Sequence, residues 1–182
     1  MSDDLLQTKL HVPRLRPSLV PRSRLIEALN QGLAGKLTLI SAAAGFGKTT
    51  LVSSWIGARQ TERAAPPATS HAPLPIQIAW LSLDENDSAP ARFLAYVIAA
   101  LQRIDPHIGA SAQPMLHATP LPLPSVLTSL LNDVASQPEQ MVLVLDDYHV
   151  IDARPIDEAL AFLLDNAPPQ LHLVITTRED PN

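Results

Sequence analysis

The sequence contains no cysteine, so disulfides and thiolate-held metals are excluded, in keeping with a reducing cytoplasm. No apolar stretch approaches the roughly 20 residues that a membrane-spanning helix needs. The first residues, Met1-Ser2-Asp3-Asp4, are acidic and no apolar run follows them, which argues against a secretory signal. A basic excess is missing as well. Thirteen Lys and Arg stand against 18 Asp and Glu, and a net charge of −5 gives no global reason to bind DNA or an anionic membrane. No two of the six histidines fall at metal-ligand spacing, no Ser/His/Asp set stands out, and there is no internal repeat. What remains is 182 residues, 46% hydrophobic, which is enough to fold one ordinary domain with a real core.

The 18 prolines fall mostly between the periodic segments and mark their limits. Residues 1–24 read as an extended basic arm lying over the domain, with Lys9, Arg14, Arg16, Arg22 and Arg24 among Pro13, Pro17 and Pro21. The plain reading of its charge is a solvated arm pairing with surface carboxylates. Residues 25–182 read as the domain proper, with flexible loops near 59–77 and 106–124. Pro21 is expected to open a helix with the stripe Leu25, Ile26, Leu29 and Leu33. Further apolar stripes fall at Leu51–Ile56, Phe93–Ile104, Val126–Val134 and Ile156–Leu164. Between them lie four short apolar runs, at 37–40, 78–83, 141–145 and 171–175. Strands alternating with helices predict an α/β fold, a parallel sheet covered on both faces in a three-layer sandwich. Ligands on such sheets bind at the carboxyl ends of the strands. Here those ends carry a small-residue loop, Asp84-Glu85, Asp146-Asp147 and Thr176-Thr177-Arg178.

The first of these ends organises the others. Leu37–Ser41 runs into Ala42-Ala43-Ala44-Gly45-Phe46-Gly47-Lys48-Thr49-Thr50, a P-loop of the form G-x-x-x-x-G-K-[ST] with Ala42 in the first glycine's place. Small residues let several backbone N–H groups converge on a phosphate, and the helix that follows adds its positive end. Lys48 is expected to reach the β- and γ-phosphates, and the Thr49 hydroxyl to ligate Mg²⁺. Met141–Leu145 followed by Asp146-Asp147 has the form of a Walker B strand. Asp146 would hold Mg²⁺, directly or through water, and Asp147 would orient or deprotonate the attacking water. Arg178 has two readings: a contact to the γ-phosphate, or a surface pair with Glu179 or Asp180. Trp55 and Trp80 read as core, and His149, near the site in sequence, reads as structural.

Taken together, several segments resemble one family. They are Leu19-Val20-Pro21-Arg22-Ser23-Arg24-Leu25, the P-loop, Trp80-Leu81-Ser82-Leu83-Asp84, Leu145-Asp146-Asp147-Tyr148-His149 and Thr177-Arg178-Glu179-Asp180. The resemblance is to the nucleotide-binding domain of STAND-class P-loop ATPases (ASCE type), as found in bacterial transcription activators related to the maltose regulator, which carry a LuxR-type helix-turn-helix. It runs from about Leu5 to the last residue, interrupted near 59–77. It implies that Val20, Pro21 and Arg22 line the adenine and ribose side. It also implies that Gly45–Thr50, preceded by Ala44, form the phosphate loop, that Asp146 is the Mg²⁺ acid and Asp147 the second acid, and that Arg178 is a sensor arginine. Members resemble ADP/ATP switches with slow hydrolysis and ligand-driven self-association.

Two departures qualify the likeness. Ala43 stands where the family commonly has proline. The family also continues into a fifth core strand, a winged-helix lid, helical repeats and the DNA-binding domain, none of which this sequence contains. The fifth strand and lid are therefore expected to be missing, the P-loop strand to form a bare apolar edge, and the chain to be truncated or to need another chain. The leading expectation is a cytoplasmic ATP/ADP- and Mg²⁺-binding switch module with weak ATPase activity at most, self-associating or pairing with a full-length regulator. DNA would be reached only through the absent domains, and no membrane is involved. The alternatives are a P-loop ATPase or kinase of another family, and a non-catalytic interaction fragment.

Overall fold

The structure is a computed structural model, and it describes residues 5–15, 22–64 and 76–178. Four strands form one sheet in the order β1-β4-β3-β2: β1 (Leu37–Ser41), β2 (Ile76–Ser82), β3 (Gln140–Asp146) and β4 (Leu171–Thr177). All three pairings are parallel. The register sets Ser41 beside Thr177 and Ser82 beside Asp146, so the polar strand ends are level with one another. Parallel neighbours need crossover connections, and helices supply them here. They are α1 (Ser23–Gly32), α2 (Lys48–Ala64), α3 (Pro90–Leu101), α4 (Leu123–Ala135) and α5 (Arg154–Asn166). No helix among the described residues is long and apolar enough to cross a membrane.

Alternation along the strands divides the core in two. On one face Val142, Val144, Val174 and Trp80 meet Leu29 of α1 and Leu51, Val52, Trp55 and Ile56 of α2. On the other, Leu81, Leu143, Leu145, Leu173 and Ile175 meet α3, α4 and α5 through residues such as Phe93, Leu127 and Leu163. β3 and β4 are buried on both sides, β3 through an unbroken apolar run and β4 with His172 set among apolar residues. The two tryptophans are core residues and are completely enclosed.

Three segments depart from the sequence reading. Residues 59–64, read as the start of a flexible loop, continue α2 to Ala64. Residues 7–10 form a 3₁₀ turn rather than an extended arm, and its Lys9 is buried rather than solvated. The Lys9 ammonium lies 2.5 Å from Asp87, which is wholly enclosed, and 2.6 Å from Asp84. Arg92 approaches the other Asp87 oxygen at 3.3 Å, and both cations lie over the Tyr96 ring. Burial pulls the Lys9 pKa down, but its bonds to Asp84 and Asp87 outweigh that and hold it above the ordinary value. The stretch after α3 also folds more than a loop reading implies. It makes a 3₁₀ turn at Gln113–His117 and buries Ile108, Ala112 and Leu116.

Candidate functional site

The P-loop leaves β1 at its carboxyl end, where the Ala42 N–H donates to the Thr177 carbonyl at 3.3 Å. Gly45 and Gly47 both have positive φ, 81° and 77°, which only glycine adopts without strain. That is why the loop needs glycine at those two positions. Lys48 opens α2 and is buried, its ammonium donating to the carbonyls of Ala42 at 2.6 Å and Ala43 at 3.2 Å. Its charge is thereby held inside the loop's curve. Phe46, at the loop's tip, is 65% exposed.

Beside Lys48, the Thr49 hydroxyl lies 3.0 Å from each oxygen of Asp146, which comes from the tip of β3, 97 residues away. Burial, reinforced by the neighbouring charge of Asp147, pushes the Asp146 carboxyl above its ordinary pKa despite the hydroxyls bonded to it. A buried carboxylate joined to a hydroxyl is a pair of hard oxygen donors whose charge a divalent cation would compensate. This fits Mg²⁺, which takes one or two protein oxygens and fills its other positions with phosphate and water. Among the described residues no cluster of three or more acids, histidines or cysteines offers an alternative metal cage.

Thr176 is a residue whose role the sequence reading missed. Its hydroxyl donates to Asp146 at 2.6 Å and accepts the Asp147 N–H at 2.9 Å. It therefore fixes both acids from the neighbouring strand. Asp147 has φ 61° and ψ 39°, a left-handed conformation that aspartate tolerates better than most residues. Its half-exposed side chain lies 3.8 Å from Nδ1 of His149. Thr176 left only a weak mark in the sequence, as one of two threonines at a strand end.

The remaining predicted residues are placed as follows. Thr50 is half-buried in the first turn of α2. Arg178 is exposed immediately after β4, whose last residue pairs with Ser41, so it leaves the sheet beside the start of the P-loop. Its candidate partners Glu179 and Asp180 lie outside the described residues, as do Val20 and Pro21. Arg22 is described, and its guanidinium donates to the Phe46 carbonyl at 3.0 Å. A separate cavity of about 270 Å³, lined by residues such as Gln77, Asp105, Glu139 and Met141, opens where β2 and β3 begin. That is the wrong end of a parallel sheet for the chemistry gathered at the P-loop.

Comparison with known proteins agrees with this geometry. Residues 19–176 match the model of the AAA ATPase domain. The HTH-type transcriptional regulator MalT of Cronobacter sakazakii is 36% identical over 178 residues, 97% of this chain and 18% of the regulator. MalT of Klebsiella pneumoniae is 32% identical over the same shares. The serine/threonine-protein kinase PknK of Mycobacterium tuberculosis is 33% identical over 88% of this chain and 13% of the kinase. The chain thus spans less than a fifth of the length of each of these relatives.

Proposed function

The chain belongs to the AAA ATPase domain family, and from that membership we propose that it is the ADP/ATP switch module of a MalT-like bacterial transcription regulator, acting in the cytoplasm. The observation that carries the reading is the meeting of Thr49 and Asp146 beside Lys48 at the carboxyl end of the sheet. In this proposal the backbone of Ala44–Gly47 and the side chain of Lys48 hold the phosphates, with Thr50 in the first turn of the same helix. Thr49 and Asp146 would hold Mg²⁺, which would supply charge neutralisation for the phosphate oxygens. Asp147, its backbone pinned by Thr176, orients the attacking water, and Arg178 reports the γ-phosphate. Val20 and Pro21 contribute to the adenine side. Hydrolysis is slow and serves to reset the switch, while self-association or pairing with a full-length regulator carries the output.

Calorimetry with ADP and ATP, with and without Mg²⁺, tests the reading. Micromolar or tighter binding is expected. Lys48→Ala should weaken it by about 30-fold or more, the scale of losing a charged hydrogen bond. The turnover expected is far below the roughly 1–100 s⁻¹ of kinases. Absence of nucleotide binding would overturn the proposal, and rapid turnover with an acceptor would favour a kinase instead.

A further inference from the structure

We propose that Tyr148, through its bond to Asp157, is a positioning residue that fixes the direction of the Asp147 carboxylate. The inference rests on reading Asp147 as the acid that orients the attacking water. Along β3 the side chains alternate. Leu143 and Leu145 enter the cluster shared with α3, α4 and α5, while Val142 and Val144 face α2. Asp146 follows the second set and meets Thr49 of α2. Were the strand to continue, Asp147 would follow the first set into apolar surroundings, where an unpaired carboxylate is costly.

The chain avoids this by turning at Asp147 itself. With φ 61° and ψ 39° the residue is left-handed, and its side chain stays about half exposed. The place among the leucines goes to Tyr148 instead, which is buried in the same cluster. A left-handed conformation is unfavourable for a residue with a Cβ, and it persists where the surroundings over-determine it.

Both sides of Asp147 are held. Before it, its N–H donates to Thr176 Oγ1 at 2.9 Å. After it, the Tyr148 hydroxyl donates to Asp157 Oδ1 at 2.5 Å, and Asp157 stands in the first turn of α5. Burial, and then the Asp157 carboxylate, raise the Tyr148 pKa, so the phenol keeps its proton and remains the donor. Within the stretch that this bond closes, the Val150 N–H bonds to the Asp147 carbonyl at 3.2 Å and the Ile151 N–H to the Tyr148 carbonyl at 3.0 Å. The Tyr148 ring thus fills the position that the strand would have given Asp147, and its hydroxyl ties the turn to α5. Together they keep the Asp147 carboxylate out of the core, next to Asp146 at the end of β3.

The test measures single-turnover ATP hydrolysis with Mg²⁺, ATP affinity by calorimetry, and urea unfolding of the full chain. Tyr148→Phe keeps the ring and removes the bond, and Asp157→Ala removes it from an exposed position on the other side. Each should slow hydrolysis about 10-fold, the scale of one hydrogen bond to a charged group, while ATP affinity stays within about twofold. The double variant should be no slower than either single one, and the two losses of stability should overlap rather than add. Asp157→Asn, which keeps an acceptor oxygen, should recover part of the rate. Unchanged hydrolysis in both single variants, an equal loss of ATP affinity, or losses that multiply in the double variant would overturn the proposal. Asp147→Asn tests the reading beneath it. If that variant hydrolyses ATP as fast as the unaltered protein, or if the unaltered protein hydrolyses none, the role given to Asp147 fails first and this inference falls with it.

Discussion

His172 shows how a single side chain decides a pH dependence in this domain. It is buried on β4, its Nδ1 2.8 Å from the Gly35 carbonyl and its Nε2 2.9 Å from the Thr38 hydroxyl. Both partners belong to the approach to β1 or to β1 itself, so the ring fastens the P-loop strand to its neighbour. Burial lowers its pKa, and the hydrogen bond to Gly35 only partly opposes that. The sign follows from linkage. The unfolded chain takes up a proton near the ordinary histidine value of about 6.5, while the folded one resists it until lower pH. Stability from this group is thus complete above that value and declines as pH falls toward the folded pKa. Urea unfolding between pH 7.5 and 5 should show this decline, and His172→Gln should flatten it. An unchanged slope in the variant would show that other groups set the dependence. No sequence pattern hints at this, because a histidine inside an apolar run looks the same whether it is satisfied or strained. The meeting of Lys48, Thr49 and Asp146 was legible, since a P-loop followed by a strand ending in two acids restricts residue type and spacing together. Thr176 was not, because its partners come from β3 and only the register brings them within reach.

Among the elements, the helices and strands were readable from apolar periodicity, but some helix ends were not: α2 runs on to Ala64, past where its stripe dissolves, and α3 stops at Leu101, short of Ile104. The N-terminal segment was not readable either, because prolines and scattered cations describe an exposed arm as readily as a docked one. What distinguishes them is the pair of acids that await Lys9, Asp87 buried and Asp84 half-exposed. Asp87 is enclosed and bonded to the Asp84 N–H at 3.0 Å, closing a capping box at the tip of β2. The Leu83 N–H, next to it, donates to the carbonyl of Asp146 at 3.0 Å. The Lys9 cluster therefore supports the strand end that lies against Asp146. Breaking a buried ion pair by removing one partner is costly because a charge is left unpaired in low dielectric. Lys9→Ala should accordingly reduce stability by about 3 kcal/mol in urea unfolding. Combined with Asp87→Asn, which removes the buried charge that only Arg92 would then face, the same substitution should have a clearly smaller effect. Additive effects would mean that Lys9 acts through its alkyl packing and not through the ion pair.

At the scale of the whole molecule the two outer strands are treated differently. Beside β2 the N-terminal segment crosses from one side of the sheet to the other, with Leu10 in the core on the α3 side and Val12 packed on the α2 side. β1 has no such cover among the described residues. Its outer positions alternate between exposed and half-buried, and Leu37 and Leu39 are each 39% exposed. Both leucines point to the face that α3, α4 and α5 cover elsewhere, so β1 is bare on that face as well as along its edge. An apolar edge with unpaired N–H and C=O groups is a template for another strand. This chain should therefore self-associate in proportion to its concentration. Sedimentation velocity over a hundredfold range should show a rising mean mass. Leu39→Lys, a charge in the middle of the edge, should return the chain to monomer without lowering its affinity for ADP. The separation of those two readouts is expected because Leu39 lies within β1, before the P-loop, and its side chain faces away from α2. A chain that remains monomeric at every concentration would mean that β1 is protected by something other than a partner strand.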